Sequence, residues 1–278
     1  MIRRKFEQDL LRRFRKLKAH VREFIVELDA LGLKEKKLGL AILAQRREYE
    51  FRTDAGKLKA FNDWFRQQVE ADIFSLPPGA NADEPWTTEY IESAYKKGHI
   101  NAYLASRRAD LLEEDITESK FLADSFNQPE AMSKVRLLGM RTYEELRGVT
   151  ATMGAQLNTI LAQGMVDGLG ATAIARAMTD KIDSLSYARA LMIARTEIIN
   201  AHSEGQLDAY EKLGVDELGL QVEWSTAGDD RVCEQCSARA GEILTVDEAR
   251  GIIPLHPNCR CAWLPALAGL TPEPKKKK

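Results

Sequence analysis

All four cysteines of this 278-residue chain lie between Cys233 and Cys261, and one of its four histidines, His256, falls among them. That crowding constrains the last third of the chain more than any hydrophobic pattern does. Cys233-Glu-Gln-Cys236 has the two-residue spacing that lets both sulfurs face one metal while nearby backbone amides support them. His256-Pro-Asn-Cys259-Arg-Cys261 follows after a short interval. The layout is that of two ligand clusters separated by a small β element. A structural Zn2+ ion needs four ligands, and Cys233, Cys236, His256, Cys259 and Cys261 offer five. One of the five is therefore expected outside the coordination shell. Cys233 and Cys236 are the firmest ligands. A bound metal would contribute folding energy directly, because so small a module buries little apolar surface.

Three other chemistries use the same residue types. A redox-active pair would prefer a helix N-terminus within a larger βαβ setting, which the pattern lacks. Paired disulfides suit a secreted domain with more widely spread cysteines. A catalytic zinc needs an open coordination position and a nearby acid or base. Asp229, Asp230 and Glu234 are close in sequence, but thiolate-rich sites are more often structural.

Upstream the chain reads as helices. Leu10, Phe14, Leu17, Val21, Phe24, Leu28 and Leu31 alternate spacings of four and three, a heptad seam that Gly32 interrupts. A second helix is expected over about Lys34 to Glu50. A third carries Leu58, Phe61, Phe65 and Val69 on one face. Residues 1–75 are therefore expected to be a basic helical region, with long helices in a hairpin or bundle. Residues 76–86 concentrate proline, glycine and other turn formers and read as a linker. Residues 87–214 are expected to be a central helical domain. In it Thr87 or Thr88 caps a helix to about Arg107, and an acidic helical stretch runs from Asp110 to Ala123. Thr142 to Met165 and Ala171 to Met178 follow. A long helix from Tyr187 to Leu213 aligns Tyr187, Leu191, Ala194, Ile198 and Ala201 and ends at Gly214. Residues 215–266 are expected to be a small α+β metal-binding module. It has strands near Leu220–Trp224 and at Ile243-Leu244-Thr245, with a helical turn opening at Thr245 or Asp247. A proline-rich loop, Ile252 to Pro265, ends in a short strand. Residues 267–278 are expected to be a disordered basic tail. The fold class is mainly α with a small C-terminal α+β zinc-binding module.

The formal net charge is -2, which gives no global attraction to nucleic acid or anionic membrane. The charge is uneven. Met1 to Leu31 and Lys275 to Lys278 are basic, and Asp216 to Glu248 is mostly acidic. The basic outer face of the first helix is either a solvated face or a contact for DNA or an acidic partner. No run of about 18 apolar residues and no secretory signal is read, so a soluble protein made in a reducing cytoplasm is expected.

A polar strip interrupts the long helix after Tyr187. Ala194-Arg195-Thr196-Glu197 is followed by Asn200, His202 and Ser203, and Arg195 and His202 share a face. Buried polar groups need partners. The expectation is a structural polar network of Arg195, Glu197, His202, Asp230 and Arg231, in which Arg195 or Glu197 pairs with Asp229, Asp230 or Arg231. A catalytic acid–base strip is the alternative, but His202 has no recognisable nucleophile motif beside it.

Together the two clusters resemble a known family. The order is Ala194-Arg195-Thr196-Glu197, then Gly205, Tyr210, Gly214 and Trp224. Asp230-Arg231-Val232-Cys233-Glu234-Gln235-Cys236 comes next, then Gly241 and Leu255-His256-Pro257-Asn258-Cys259-Arg260-Cys261. This is similar to the phage Mu F-like head-morphogenesis family, the minor capsid or minor head proteins. The resemblance covers roughly Leu137 to Leu264. It implies a tailed-phage or prophage protein located in the virion or procapsid interior and made in the bacterial host cytoplasm. The partners it implies are the portal protein and capsid or scaffold proteins, with DNA as a further partner through the basic N-terminal helix, and no membrane. It also implies metal binding by the cysteine–histidine motif and no general enzymatic activity. The alternatives from other classes are a zinc-stapled HNH-like nuclease and a DNA-binding protein. A nuclease needs a base and a separate divalent-metal site, and after Gly214 the only histidine lies within the ligand cluster.

Overall fold

A computed structural model of the chain describes residues 2–33, 54–77, 84–112, 116–126, 128–213 and 220–267. The expected helix over Lys34 to Glu50, the Gly214 stop, the core of the linker and the basic tail lie outside those residues. The described chain is mainly helical with one small C-terminal sheet. It divides into two compact units, Arg4–Trp86 with Tyr143–Leu191, and Thr87–Thr142 with Met192–Lys278 and the first three residues.

In the first unit, α1 (Ile2–Arg22) follows its heptad seam: Phe6, Leu10, Phe14, Leu17 and Val21 are buried. A π-helical turn, Glu23–Glu27, then adds one residue to the repeat, as the Leu28 N–H to Glu23 carbonyl bond of 2.9 Å shows. The seam therefore passes to Ile25, which is buried. Leu28, expected inward, is 63% exposed. The chain turns at Asp29 (φ 46°), ahead of Gly32, and the Asp29 carboxylate accepts from the Leu33 N–H at 2.7 Å.

Helix α2 (Asp54–Val69) buries Phe61, Phe65 and Val69 as expected and runs into a second π turn, Glu70–Phe74. Phe24 stacks on Trp64 with centroids 4.1 Å apart. Arg13 belongs to this interior rather than to a basic outer face. Its Nη1 donates to the carbonyls of Ile73 (3.0 Å) and Ser75 (2.9 Å), and its guanidinium lies 4.1 Å over the Trp86 ring. Those carbonyls lie at the end of a helix, where intrahelical donors run out, and the Trp86 indole N–H also donates to Ile73 at 2.9 Å. The C-terminal part of α5 (Pro129–Val166) buries Leu146, Met153, Leu157 and Leu161, and α6 (Ala171–Leu185) packs on the Glu23–Glu27 turn. A third π turn, Ser186–Ala190, precedes α7 (Leu191–Lys212). It turns Tyr187 out of the expected face, to 62% exposure, while Leu191, Ala194, Ile198 and Ala201 stay buried.

In the second unit, α3 (Thr88–Arg108) and α7 meet backbone to backbone. A Cβ on Gly98 would lie 2.2 Å from the His202 carbonyl oxygen, and one on Gly205 would lie 2.2 Å from that of Tyr95. Only hydrogen side chains allow this approach. Thr87 precedes α3 but does not cap it with its side chain; its hydroxyl donates to the Gly139 carbonyl at 3.3 Å. The expected acidic helix at Asp110 begins later, as α4 (Glu118–Phe126).

The sheet is antiparallel in the order β2–β1–β3, with β1 (Leu220–Ser225) central, β2 (Ile243–Leu244) and β3 (Ala262–Leu267). Val222 and Trp224 are buried and alternate with partly exposed neighbours. Trp224 pairs across the ladder with Trp263, and the two rings meet edge to face at 5.4 Å. Helix α7 holds this sheet. The Gln206 amide donates to the Trp263 carbonyl (3.0 Å) and accepts from the Trp263 N–H (3.3 Å), and the Trp263 indole N–H donates to Ser203 (3.1 Å). The helical turn expected at Thr245 is α9 (Val246–Ala249), opened by a Thr245–Glu248 capping box.

Two glycine substitutions should have opposite signs. Gly205→Ala forces the α3–α7 contact apart and should destabilise the protein by about 2–3 kcal/mol. Gly148→Ala, in mid-helix with nothing within 4 Å of the added methyl, should be neutral or stabilising by up to about 1 kcal/mol. Thermal or urea denaturation of the two variants measures both.

Candidate metal centre

Cys233 precedes the single-turn helix α8 (Glu234–Ala238) in an extended conformation, and its sulfur accepts from the Cys236 N–H at 3.4 Å. That bond lowers the Cys233 thiol below its ordinary range. The second cluster arrives on a tight turn. Asn258 adopts a left-handed backbone (φ 62°), and the Cys259 N–H bonds to the His256 carbonyl at 3.1 Å.

The turn places His256 Nε2 3.1 Å from both Cys233 Sγ and Cys236 Sγ, and Cys259 Sγ 3.9 Å from Cys236 Sγ. Cys233, Cys236 and His256 form one group of candidate ligand atoms, and Cys236, Cys259 and Cys261 form another, each within 4.8 Å. Cys236 belongs to both. Strand β3 begins only at Ala262, so Cys259 and Cys261 are not on an extended strand. Both are buried beside Cys236.

The chemistry of the set fits a bound cation. His256 Nδ1 lies 2.8 Å from the Pro257 carbonyl. With the proton on Nδ1, the Nε2 lone pair faces the sulfurs, the tautomer a metal ligand requires. Burial pushes the Cys236 thiol well up, and neighbouring sulfurs add to the effect. Burial also pushes Cys261 up to about 11. Buried sulfurs this close are costly as bare thiolates and are stabilised as thiolates by a divalent ion. The buried Trp224 indole N–H makes no hydrogen bond, yet it lies near enough to Cys261 to oppose that rise.

Charged clamps hold the cluster's loops. Arg260, between the two late cysteines, makes a bidentate pair with Asp229 at 2.5 and 2.6 Å, and Arg231 donates to the same carboxylate at 3.1 Å. The Arg260 pair holds the Asp229 carboxyl far below the usual carboxylate range. Asn258 N–H reaches the Thr196 hydroxyl of α7 at 3.4 Å. Further along the loop, Arg250 bonds Asp208 at 2.6 Å and also pairs with Glu211. Asp208 receives Lys134 at 2.8 Å and the Tyr95 hydroxyl as well. Tyr95, Lys134 and Asp208 also line an open cavity of about 420 Å³ with His99 and Lys212. Their ionisable groups are largely spent on one another.

The residues of the expected polar strip occupy several separate contacts. Buried Glu197 accepts from Arg141 of α5 at 2.5 Å. His202 Nε2 accepts from the Asn101 amide at 2.8 Å. Arg231 pairs with Asp229, and Asp230 is exposed and acts on Arg260 only through its charge. Arg141, Lys134, Asp208, Arg250 and Arg260 were not singled out from the sequence. Only Arg260, set between two candidate ligands, carried a local signal.

Residues 155–264 match the family model described as Phage Mu protein F like protein, which supports the assignment to the Mu F-like family. No curated protein and no solved structure matches the chain. No described helix is long and apolar enough to cross a membrane.

Burial, aided by the charge of Lys97, lowers His202 to about 4. An unfolded histidine titrates near 6.5, so the unfolded chain binds this proton first as pH falls. Stability should be level above about pH 6.5 and decline by up to about 3 kcal/mol as pH falls to about 4. Melting curves across that range should show a smaller decline for His202→Gln than for the parent protein.

Proposed function

We propose that the protein is a phage head-morphogenesis protein of the minor head kind, with its C-terminal module held by a structural zinc ion. The metal takes four of Cys233, Cys236, His256, Cys259 and Cys261. The observation that carries this reading is the convergence of both halves of the cysteine–histidine motif on Cys236, inside the segment that matches the Mu F-like family. Sulfur and imidazole donors in this proportion suit zinc, and a set this rich in thiolate suits a structural site. Arg195, Glu197, His202, Asp230 and Arg231 belong to the surrounding polar framework in this reading. The protein acts by binding rather than by catalysis: its partners are the portal, capsid or scaffold proteins, with DNA through α1, and its place is the virion or procapsid interior.

Two features weigh against a nuclease. His256 Nε2 points at sulfur, and Asp229 is taken by arginines. Mu F-like head proteins are structural, consistent with a non-enzyme.

Elemental analysis of the purified protein should find about one zinc per chain. Cys236→Ser should lose it together with the folded C-terminal module. Asp229→Asn keeps every donor but loosens the loops, and should weaken zinc binding roughly 10- to 100-fold in a chelator competition. Pull-down with portal and capsid proteins of the same phage, and analysis of its particles, test the head role. Absence from both would overturn it.

A further inference from the structure

The cations of α1 fall into two sets. Arg13 is buried, and Lys18 pairs with Asp183 within its unit. The others face outward. Nine positions of α1 are exposed; seven are Arg or Lys, two are Gln8 and Ala19, and none is acidic. The whole chain has 40 basic and 42 acidic residues, so this is a local segregation of charge.

Helical geometry makes the set a stripe. At about 100° per residue, Arg4, Lys5, Arg12, Arg15, Lys16 and Arg22 share roughly one third of the circumference, opposite the buried Leu10–Phe14–Leu17 seam. From Arg4 to Arg22 the stripe is about 27 Å long at about 1.5 Å per residue. Among the described residues two acids pair with it, and exposed Glu23 follows Arg22 at its end. Arg12 pairs with Asp9 and Lys16 with Asp72, at 3.0 Å for the latter. Both carboxylates are largely covered, whereas the Arg12 and Lys16 side chains remain 72% and 60% exposed.

The composition of the stripe selects its partner. A protein surface would be met by apolar or aromatic anchors, with charge depleted at the centre of the contact. The stripe has no exposed large apolar residue. Four of its six cations are arginine, whose planar guanidinium matches phosphate oxygens. A straight rod of one charge sign suits a polyanion with regularly spaced charge, and duplex DNA carries about one per 1.7 Å. We propose that this face of α1 binds the phosphate backbone of duplex DNA without reading its sequence. The proposal deepens the DNA contact in the head role above, but its test involves neither zinc nor particles, so the two readings fail separately.

The test is a fluorescence-anisotropy titration of a mixed-sequence DNA duplex with the full chain at several NaCl concentrations. If five of the six cations engage, the affinity should fall roughly 500-fold between about 50 and 200 mM salt, a log–log slope of about -4.5. Arg15→Gln with Arg22→Gln should reduce that slope by about two, as should Arg4→Gln with Lys5→Gln. Arg108→Gln with Lys120→Gln, exposed on other helices, should leave it unchanged. Circular dichroism checks that each variant is folded. Absence of salt-dependent binding, or a slope that neither stripe variant alters, overturns the proposal. So does loss of portal or capsid binding in the stripe variants while DNA binding persists, which would assign the face to an acidic protein surface.

Discussion

The second unit is organised by the place where α3 and α7 touch with no side chain between them. Gly98 and Gly205 bring each helix against a carbonyl of the other. Everything else α7 does for the unit assumes this distance. Tyr95 reaches Asp208 across the crossing, and Asn101 reaches His202. The same helix then offers Ser203, Gln206 and Tyr210 to Trp263 of the sheet. A helix held this closely on one side has little freedom to adjust on the other. That rigidity suits a helix serving as the mount for a small module that lacks a large apolar core.

The candidate metal centre is attached to that mount by polar contacts. Thr196 holds the turn before Cys259, and Asp208 with Glu204 and Glu211 holds Arg250 at the start of the same loop. Buried ion pairs seldom add much net stability, but removing one partner leaves a costly uncompensated charge. They therefore fix geometry more than they supply energy. The folding energy of the module must come largely from the core around Trp224 and Trp263.

Much of this was legible from spacing. The heptad seam of α1, the apolar face of α2, the three strands and the capped turn at Thr245 all follow from local pattern. The residues that went astray share one cause. Counting regular turns puts Leu28 and Tyr187 inward, but each lies within or just beyond a π-helical turn that adds a residue to the count. Nothing in the apolar pattern marks such a turn, because the buried residue that takes over the seam, Ile25, is as apolar as the one displaced. The candidate ligand residues stand out in the sequence as a set, and the structure brings them together in two groups that share Cys236. Their local geometry was not legible: the spacing of the cysteines does not mark the left-handed turn at Asn258 just before the second pair. The partner of Glu197 was illegible for another reason. Arg141 is distant in sequence and on a different helix, so only the assembled fold brings it near. The charge of α1 was visible from the start. Burial then separated Arg13, which serves the core, from the residues that face outward.

Gln206 has a consequence for how the module presents itself to other chains. Strand β3 lies at the edge of its sheet, where free backbone groups would invite a strand from a neighbouring molecule. At Trp263 those groups are already satisfied by a side-chain amide that donates and accepts as a peptide would. The helix thus acts as a counterfeit strand one residue long. It fills the outer edge of the ladder near the start of β3, so a neighbouring strand finds no free backbone groups at that position.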